Sequence, residues 1–404
     1  MKSLSNLNFK GDILVYLIAS IFTAGISFIF TILLTYLITP SEIGKIETFV
    51  SFSSLFTAVI LFGSSTHLIK FYSEKKDNHF QTIFNGITVN SILISILILS
   101  ISSFLDFENF LLICILLFSI STSFYSIIIT SYQLEKKSIK YAKTVVSYAL
   151  LNFFLSLFFV YLYKSGNARI GSVSLTAITL FIYVYARFDK LVIPKIKFDK
   201  SFYSLGYILF FGQFFSWIIE KSDRILITEF LNSASTGKYG IGYQFGMIVL
   251  MVQVAISRAW MPRIIENFQH NRLNVIKKDL LKISLILFIF SCIISVISYF
   301  FIMTFLNEEY FISATIAVIV SFAYMIDGIW KLYNGILIYH NKYLLTTISV
   351  FFAGITNVTL NYLFLSEYGI LFAAFSTLIS FLVGLLFSSF LVHFNLKALS
   401  HDTQ

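Results

Sequence analysis

Charged side chains stand inside apolar stretches of this chain, and the densest group is Glu220, Lys221, Asp223 and Arg224. Ionisable groups within a membrane-spanning helix cost about 2.5–3.5 kcal/mol each on insertion scales, so they usually face a partner or a cavity. Glu220 and Arg224 are four residues apart, share a helix face and could form a structural ion pair. Alternatively, Arg224 or Lys221 faces a cavity and attracts an anion, which a cation in a low dielectric binds strongly.

A second group of this kind, Asp327 and Lys331, repeats the four-residue spacing. These residues could pair with each other, or Lys331 could face a cavity while a titratable Asp327 binds protons or sodium. His67 and Arg258 lie near the ends of two apolar runs, slightly deeper than their neighbours. They are either ordinary anchors whose side chains reach the membrane surface or contacts for a ligand.

The elements that position these residues are apolar runs about 20 residues long, the length that crosses a bilayer as a helix. The 404 residues contain only 12% charged side chains and have a mean hydropathy of +0.85. The runs are continuous rather than alternating, which favours helices over barrel strands, and Pro40, Pro194 and Pro262 fall at their ends. Twelve spans are predicted, at 13–38, 46–69, 82–105, 110–131, 144–163, 169–187, 203–231, 239–260, 280–305, 313–337, 343–364 and 369–392.

The distribution of Lys and Arg predicts the orientation of these spans. With the N-terminus in the cytoplasm, most of the 29 basic residues fall on the cytoplasmic side, and only Lys45, Lys164, Arg169 and Lys238 fall outside. Acidic residues such as Glu47 lean toward the outer face. We therefore expect a multi-pass protein with both termini cytoplasmic and membrane lipids as its surroundings. The net charge of +9 reflects this bias, so no nucleic-acid partner is expected.

A short internal repeat divides the chain into two halves. The predicted connection 188–202 lies at the midpoint and gives six-helix lobes at 1–195 and 196–404. At a constant offset of 193 residues, Leu33-Leu34-Thr35 matches Leu226-Ile227-Thr228, Gly44-Lys45 matches Gly237-Lys238, and Phe52 matches Phe245. Two six-helix lobes have the same orientation, and parallel repeats of this kind place a substrate path between lobes.

Three segments carry a family resemblance: LLTYLITPSEIGKIETFVSF at 33–52, LFGSSTHLIKFYSE at 61–74 and EKSDRILITEFLNSASTGKYGIGYQF at 220–245. They resemble the polysaccharide repeat-unit flippases that export O-antigen and capsule units, within the superfamily of multidrug, oligosaccharidyl-lipid and polysaccharide exporters. The matching residues are Thr39, Pro40, Glu42 and Gly44 in the turn after the first span, Asp223, Arg224 and Ile225 in the seventh, and Gly237 and Tyr239 after it. Ile43 and Lys45 depart from the aromatic and small apolar residues common around that first glycine.

The resemblance implies an all-α membrane protein with two six-helix lobes around a central cavity, as in the multidrug exporters of this superfamily. It implies a flippase, not an enzyme, that moves an undecaprenyl-pyrophosphate-linked oligosaccharide to the periplasmic leaflet of a bacterial cytoplasmic (inner) membrane by alternating access. Its partners would be that glycan lipid and the glycan polymerase and chain-length machinery. No cofactor is expected, although transport could be coupled to a proton or sodium gradient.

Two other classes stay open. A drug or cation antiporter of the same superfamily would use acids in an apolar cavity, whereas here basic residues accompany every buried acid. A membrane-embedded glycan polymerase would carry a large outer loop rich in Arg, and no predicted outer loop is that long. The chain shows no Gly-rich phosphate loop, and Cys114 and Cys292 lack metal-ligand spacing. These absences favour a transporter over an enzyme.

Overall fold

The structure, a computed structural model, describes residues 7–73, 79–102, 108–188, 193–198, 200–270, 272–340 and 342–399. Every element in these ranges is helical: fourteen α-helices and one short 3-10 turn at Glu308–Tyr310. This confirms the predicted all-α class. The helices are α1 Leu7–Leu37, α2 Pro40–Leu61, α3 Ser64–Ser73, α4 His79–Ser102, α5 Asn109–Leu134, α6 Ser138–Tyr163, α7 Gly166–Ala186, α8 Lys200–Phe230, α9 Ser233–Gly246, α10 Ile248–Gln269, α11 Leu273–Phe305, α12 Phe311–Tyr339, α13 Tyr343–Tyr368 and α14 Ile370–Leu399.

Eleven stretches of the described chain are long and apolar enough to cross a membrane. They coincide with all the predicted spans except the seventh, at 203–231. The seventh predicted span corresponds to α8, a continuous helix of 31 residues whose second half carries the Glu220–Arg224 group. The chain is therefore a multi-pass membrane protein. α8 is long enough to cross a membrane, but its second half is charged.

Several predicted spans are interrupted or extended by the fold. The stretch Pro40–Ile69 consists of α2 and α3, which are separated at Phe62 and Gly63, both with positive φ. A glycine adopts this backbone without strain, whereas a phenylalanine does not, so neighbouring packing must hold the break. Pro262 does not end its helix, as the sequence predicted, because α10 continues through it to Gln269.

The helices form two compact units. Unit 1 consists of residues 1–38 and 49–214, and unit 2 consists of residues 39–48 and 215–404. Both α2 and α8 therefore contribute residues to each unit, whereas the lobe boundary predicted from the sequence lies between residues 195 and 196. Within unit 2, α12 packs against α9, α10, α11 and α14 and is buried along much of its length.

The two halves of the sequence repeat meet inside unit 2. A Cβ atom on Gly44 would lie 1.8 Å from the carbonyl oxygen of Ser233, and one on Gly237 would lie 2.0 Å from that of Pro40. The contact is reciprocal, because Pro40 and Ser233 are separated by the same 193 residues as Gly44 and Gly237. The first turns of α2 and α9 thus approach backbone to backbone, which only glycine permits at these two positions.

Candidate functional site

Arg224 is fully buried in unit 2 and is surrounded by hydrogen-bond acceptors. Its Nε donates to Oε2 of Glu47 at 3.1 Å, and its Nη1 donates to Oδ1 of Asp223 at 2.8 Å. Nη1 also donates to the backbone carbonyl of Glu220 at 2.6 Å. The predicted ion pair between Glu220 and Arg224 is therefore wrong as stated: the carboxylates of Glu47 and Asp223 pair with the guanidinium instead.

Arg224, Glu47 and Asp223 form an ion triad, and tyrosines and an amide complete its surroundings. Tyr239 donates a short hydrogen bond to Oδ2 of Asp223, and the ring of Tyr243 lies 4.1 Å from the guanidinium carbon of Arg224. Gln244 donates to Oε1 of Glu47 at 3.1 Å. The lack of a side chain at Gly240 lets α9 lie close to Glu47, because a Cβ atom at that position would be 2.6 Å from Cδ of Glu47.

Glu220 and Lys221 have a different environment from their neighbours on α8. Neither forms an ion pair within 4 Å or a side-chain hydrogen bond with any residue in the described ranges. Glu220 nevertheless interacts electrostatically with Asp327, Lys331, Lys221 and Arg224. Lys221 interacts with Glu47 and Asp223 as well. We call these seven side chains the buried charge cluster: Glu47, Glu220, Lys221, Asp223, Arg224, Asp327 and Lys331.

The predicted pair on α12 is present. Lys331 Nζ donates to Oδ2 of Asp327 at 2.6 Å, and Gln253 Nε2 donates to the same oxygen at 2.7 Å. The carboxylate is almost completely buried, whereas 44% of the Lys331 side chain is exposed. Asp327 is thus held by two donors from different helices, while the ammonium of Lys331 keeps access to a ligand.

A cavity of about 130 Å³ adjoins this pair within unit 2. Its polar lining comes from α8 and α12, through Ser216, Glu220, Asp327, Lys331 and Asn334. This volume is large enough for a small ion with its waters or for one phosphate group. The charged end of a larger substrate would therefore fit here.

His67 and Arg258 are not part of this arrangement as far as the structure describes them. His67 lies in unit 1, buried on α3, with its ring edge-on to Phe202 at 5.4 Å between centroids. Arg258 is in α10, but its side chain lies outside the described residues. The predicted substrate contacts of these two residues stay predictions.

Sequence reasoning missed two members of the site. The sequence predicts Glu47 to be an acidic residue near the outer face and indicates no role for it in the site. Its contact with Arg224 depends on the approach of α2 to α9, which the match of Gly44 with Gly237 in the repeat could have indicated. Gln253 is an uncharged residue in an apolar run, and no local pattern links it to Asp327 across 74 positions. In the described part of the chain, no group of acidic, His or Cys residues could hold a metal ion.

Several solved structures share this fold. The fold is that of an inward-facing multidrug resistance transporter of the MATE family in the MOP superfamily, with a TM-score of 0.74, 10% identity and coverage of 95% of this chain and 96% of that one. The lipid II flippase MurJ in an inward closed conformation has a TM-score of 0.64 and 14% identity, over 94% of this chain and 87% of that one. A Vibrio cholerae MATE transporter, VcmN, has a TM-score of 0.56 and 11% identity, over 95% and 96% of the chains.

The chain thus shares its fold with transporters and a lipid flippase. More particularly, the profile of the family described as polysaccharide biosynthesis protein matches residues 9–268, and the chain belongs to this family. An uncharacterised membrane protein of Haemophilus influenzae is 26% identical over 174 residues, which is 40% of this chain. The match spans about two fifths of that relative (42% of its length).

Proposed function

We propose that the chain is a flippase for an undecaprenyl-pyrophosphate-linked oligosaccharide, an O-antigen or capsule repeat unit. It would carry this substrate from the cytoplasmic to the periplasmic leaflet by alternating access. The observation that carries the proposal is a partly exposed Lys331 at a phosphate-sized cavity, within a chain of the polysaccharide biosynthesis family. Polar and charged groups inside a membrane mark a substrate path by default.

The cations of the buried charge cluster would have separate tasks. Lys331 and Lys221 would attract the pyrophosphate, because Lys331 is accessible and Lys221 has no carboxylate within 4 Å in the described structure. Arg224 would act indirectly, because Glu47 and Asp223 already compensate its charge. Neutralisation of the pyrophosphate by ammonium groups lowers the cost of bringing it into a region of low dielectric.

A charge imbalance in the same cluster supports coupling to a cation gradient. The cluster contains four carboxylates and three basic side chains, so it carries one uncompensated negative charge when all are ionised. Glu220 is the carboxylate without an ion pair in the described residues, and it lines the cavity. A proton or a sodium ion at Glu220 would neutralise the cluster, and its release would favour binding of a cationic partner or a conformational change.

The proposal is tested by deleting the gene in its host and measuring surface polysaccharide and the sidedness of undecaprenyl-linked intermediates. We expect surface glycan to be lost and complete, unpolymerised repeat units to accumulate on the cytoplasmic leaflet. Complementation with the native chain should restore both. Unpolymerised units on the outer leaflet would contradict a flippase and indicate a polymerase.

A cation-coupled drug antiporter is the second candidate. The excess carboxylate favours it, since a cationic drug would compensate the charge of Glu220 directly. It predicts unchanged surface glycan and higher drug sensitivity in the deletion strain. A strain with normal drug sensitivity and no surface glycan would exclude the antiporter.

A further inference from the structure

Arg169 reaches into unit 1 from the first turn of α7. This helix begins at Gly166, where the Ser165 hydroxyl accepts a hydrogen bond from the backbone nitrogen of Asn167 at 3.2 Å. Nη1 of Arg169 donates to Oδ1 of Asn152 at 2.7 Å and, over a shorter distance, to Oγ of Ser156. Ser156 lies about two turns before the end of α6, which places the guanidinium roughly 10 Å inside the helix end at a rise of 1.5 Å per residue.

Neighbouring groups fix the orientation of this guanidinium. The ring of Phe30 covers one face, 4.4 Å from the guanidinium carbon. Ser156, which accepts a hydrogen bond from Arg169, is itself held in place: its Oγ lies 2.8 Å from Ser172 Oγ and 3.2 Å from Asn152 Oδ1. Because α1, α6 and α7 each contribute a contact, the side chain is held in one geometry before any ligand arrives.

The remaining edge of the guanidinium makes no hydrogen bond or ion pair in the described structure, although Tyr148 interacts electrostatically with Arg169. A guanidinium has five N–H donors, and the Nε and Nη2 donors of Arg169 make no hydrogen bond with any described residue. No described carboxylate lies within 4 Å of it, although Arg224 in unit 2 pairs with two. In the described part of unit 1, Glu135 pairs with Lys137 at 2.7 Å and Glu108 is exposed at the start of α5. Arg169 is therefore a positioned cation with neutral protein partners.

We propose that Arg169 is a binding site for a phosphate-type anion. Its Nε–Nη2 edge is a planar fork that matches two oxygens of one phosphate group, and the residue is partly exposed. The ligand is the headgroup of an anionic phospholipid or the diphosphate of a prenyl lipid. The site goes beyond the proposed function, which places the pyrophosphate at unit 2 and gives Arg169 no role.

Binding of two probes to the purified full-length protein in nanodiscs tests this site. The probes are farnesyl diphosphate, titrated into phosphatidylcholine nanodiscs, and phosphatidylglycerol, whose retention after exchange is measured by native mass spectrometry. Arg169→Gln removes the charge, and Arg169→Lys keeps the charge but removes the fork. Lys164→Gln is the matched control, because it neutralises an exposed cation without a described partner at the same end of the helices. A Lys331→Gln background suppresses binding at unit 2.

We expect Arg169→Gln to weaken the affinity for at least one probe about tenfold or more, Arg169→Lys to weaken it less, and Lys164→Gln to leave it unchanged. A loss confined to farnesyl diphosphate identifies a prenyl diphosphate site, and a loss confined to phosphatidylglycerol identifies a phospholipid site. If neither probe distinguishes Arg169→Lys from the native protein while that variant is folded, the proposal is wrong. Normal surface glycan in the deletion strain would contradict the flippase proposal but leave this binding result intact.

Discussion

At the scale of single residues, the position of Arg224 explains how this chain keeps so many charges within the membrane. Two carboxylates and a backbone carbonyl more than compensate the charge of this buried cation. Removal of one partner from such a group typically costs about 3–5 kcal/mol, because the remaining charges stay buried without compensation. Arg224 is therefore as important for the integrity of unit 2 as for any transport step.

The first prediction concerns this ion triad. Arg224→Ala should abolish export and lower the melting temperature of the purified protein, because Glu47 and Asp223 would be left buried as uncompensated anions. Glu47→Gln should be milder, since Asp223 still pairs with Arg224 and the amide can replace one hydrogen bond. The melting temperature is followed by fluorescence-detected size exclusion. A fully stable Arg224→Ala protein with normal export would contradict both the structural and the transport role.

The second prediction separates stability from substrate attraction at Lys331. Lys331→Gln should reduce surface glycan strongly, at least tenfold in the rate of export, yet lower the melting temperature less than Arg224→Ala does, because Gln253 still donates to Asp327 and the side chain at 331 is 44% exposed. Lys277→Gln is the control, because Lys277 is an exposed lysine on α11 outside the charge cluster. Equal export by the two variants would show that Lys331 does not contact the substrate.

The sequence could predict which charges matter but not how they pair. The spacing of Asp327 and Lys331 along one helix predicted their contact correctly, because positions four apart share a face. The same rule failed for Glu220 and Arg224, since acceptors from α2 and the adjacent Asp223 offered the guanidinium better geometry. Contacts between helices far apart in the chain, such as Glu47 with Arg224, depend on packing that no local pattern contains.

At the scale of secondary-structure elements, the packing of α2 against α9 fixes the position of Glu47. The reciprocal approach of Gly44 to Ser233 and of Gly237 to Pro40 leaves no room for a methyl group. Small residues at helix crossings in membranes allow such approaches and the van der Waals packing that stabilises them. The repeated glycines in the sequence therefore mark a helix crossing, which the resemblance alone described only as a turn motif.

The third prediction tests this crossing. Gly44→Ala and Gly237→Ala should each destabilise the protein by about 1–3 kcal/mol or more, because the added methyl meets backbone atoms that cannot rotate away. Gly25→Ala in α1 is the control, because nothing lies within 4 Å of the added carbon. At that position the higher helix propensity of alanine should be neutral or stabilising by up to about 1 kcal/mol. Thermal melting that ranks Gly25→Ala below Gly44→Ala would refute the proposed crossing.

Helix limits show what hydropathy alone can and cannot determine. Apolar length predicted the spans, because the bilayer imposes it, and the structure has a helix in the place of each one. The break at Phe62 and Gly63 was not predicted, because hydropathy averaged over a whole span hides the short polar segment at 64–67 that follows it. The extension of α10 past Pro262 was also missed, because a proline in a helix can be tolerated where its neighbours provide other contacts.

At the scale of the whole molecule, the charge of the buried cluster would connect stability with the cation coupling that we propose. A transporter that uses an ion gradient must bind the ion more tightly in one state than in another. In the described part of this cluster, Glu220 is the carboxylate without an ion pair, and it lies beside the cavity on the helix that contributes residues to both units. A cation that binds there would change the electrostatic balance of the whole cluster, including the Lys331 that we propose attracts the substrate.

The last prediction follows from mass action at this site. A cation that binds the folded protein and not the unfolded chain raises its stability as the concentration of that cation increases. If the cation is a proton, the folded protein binds one more proton than the unfolded chain, so the melting temperature should rise as the pH falls from neutral. If it is sodium, the melting temperature should rise with NaCl but not with KCl at equal ionic strength.

Glu220→Gln should remove whichever response the native protein shows, because it leaves three carboxylates opposite three cations. Glu229→Gln, an exposed acid on the same helix, should keep that response. A Glu220→Gln protein with the native response would place the cation elsewhere. A native protein without any response would contradict the binding of a cation at Glu220.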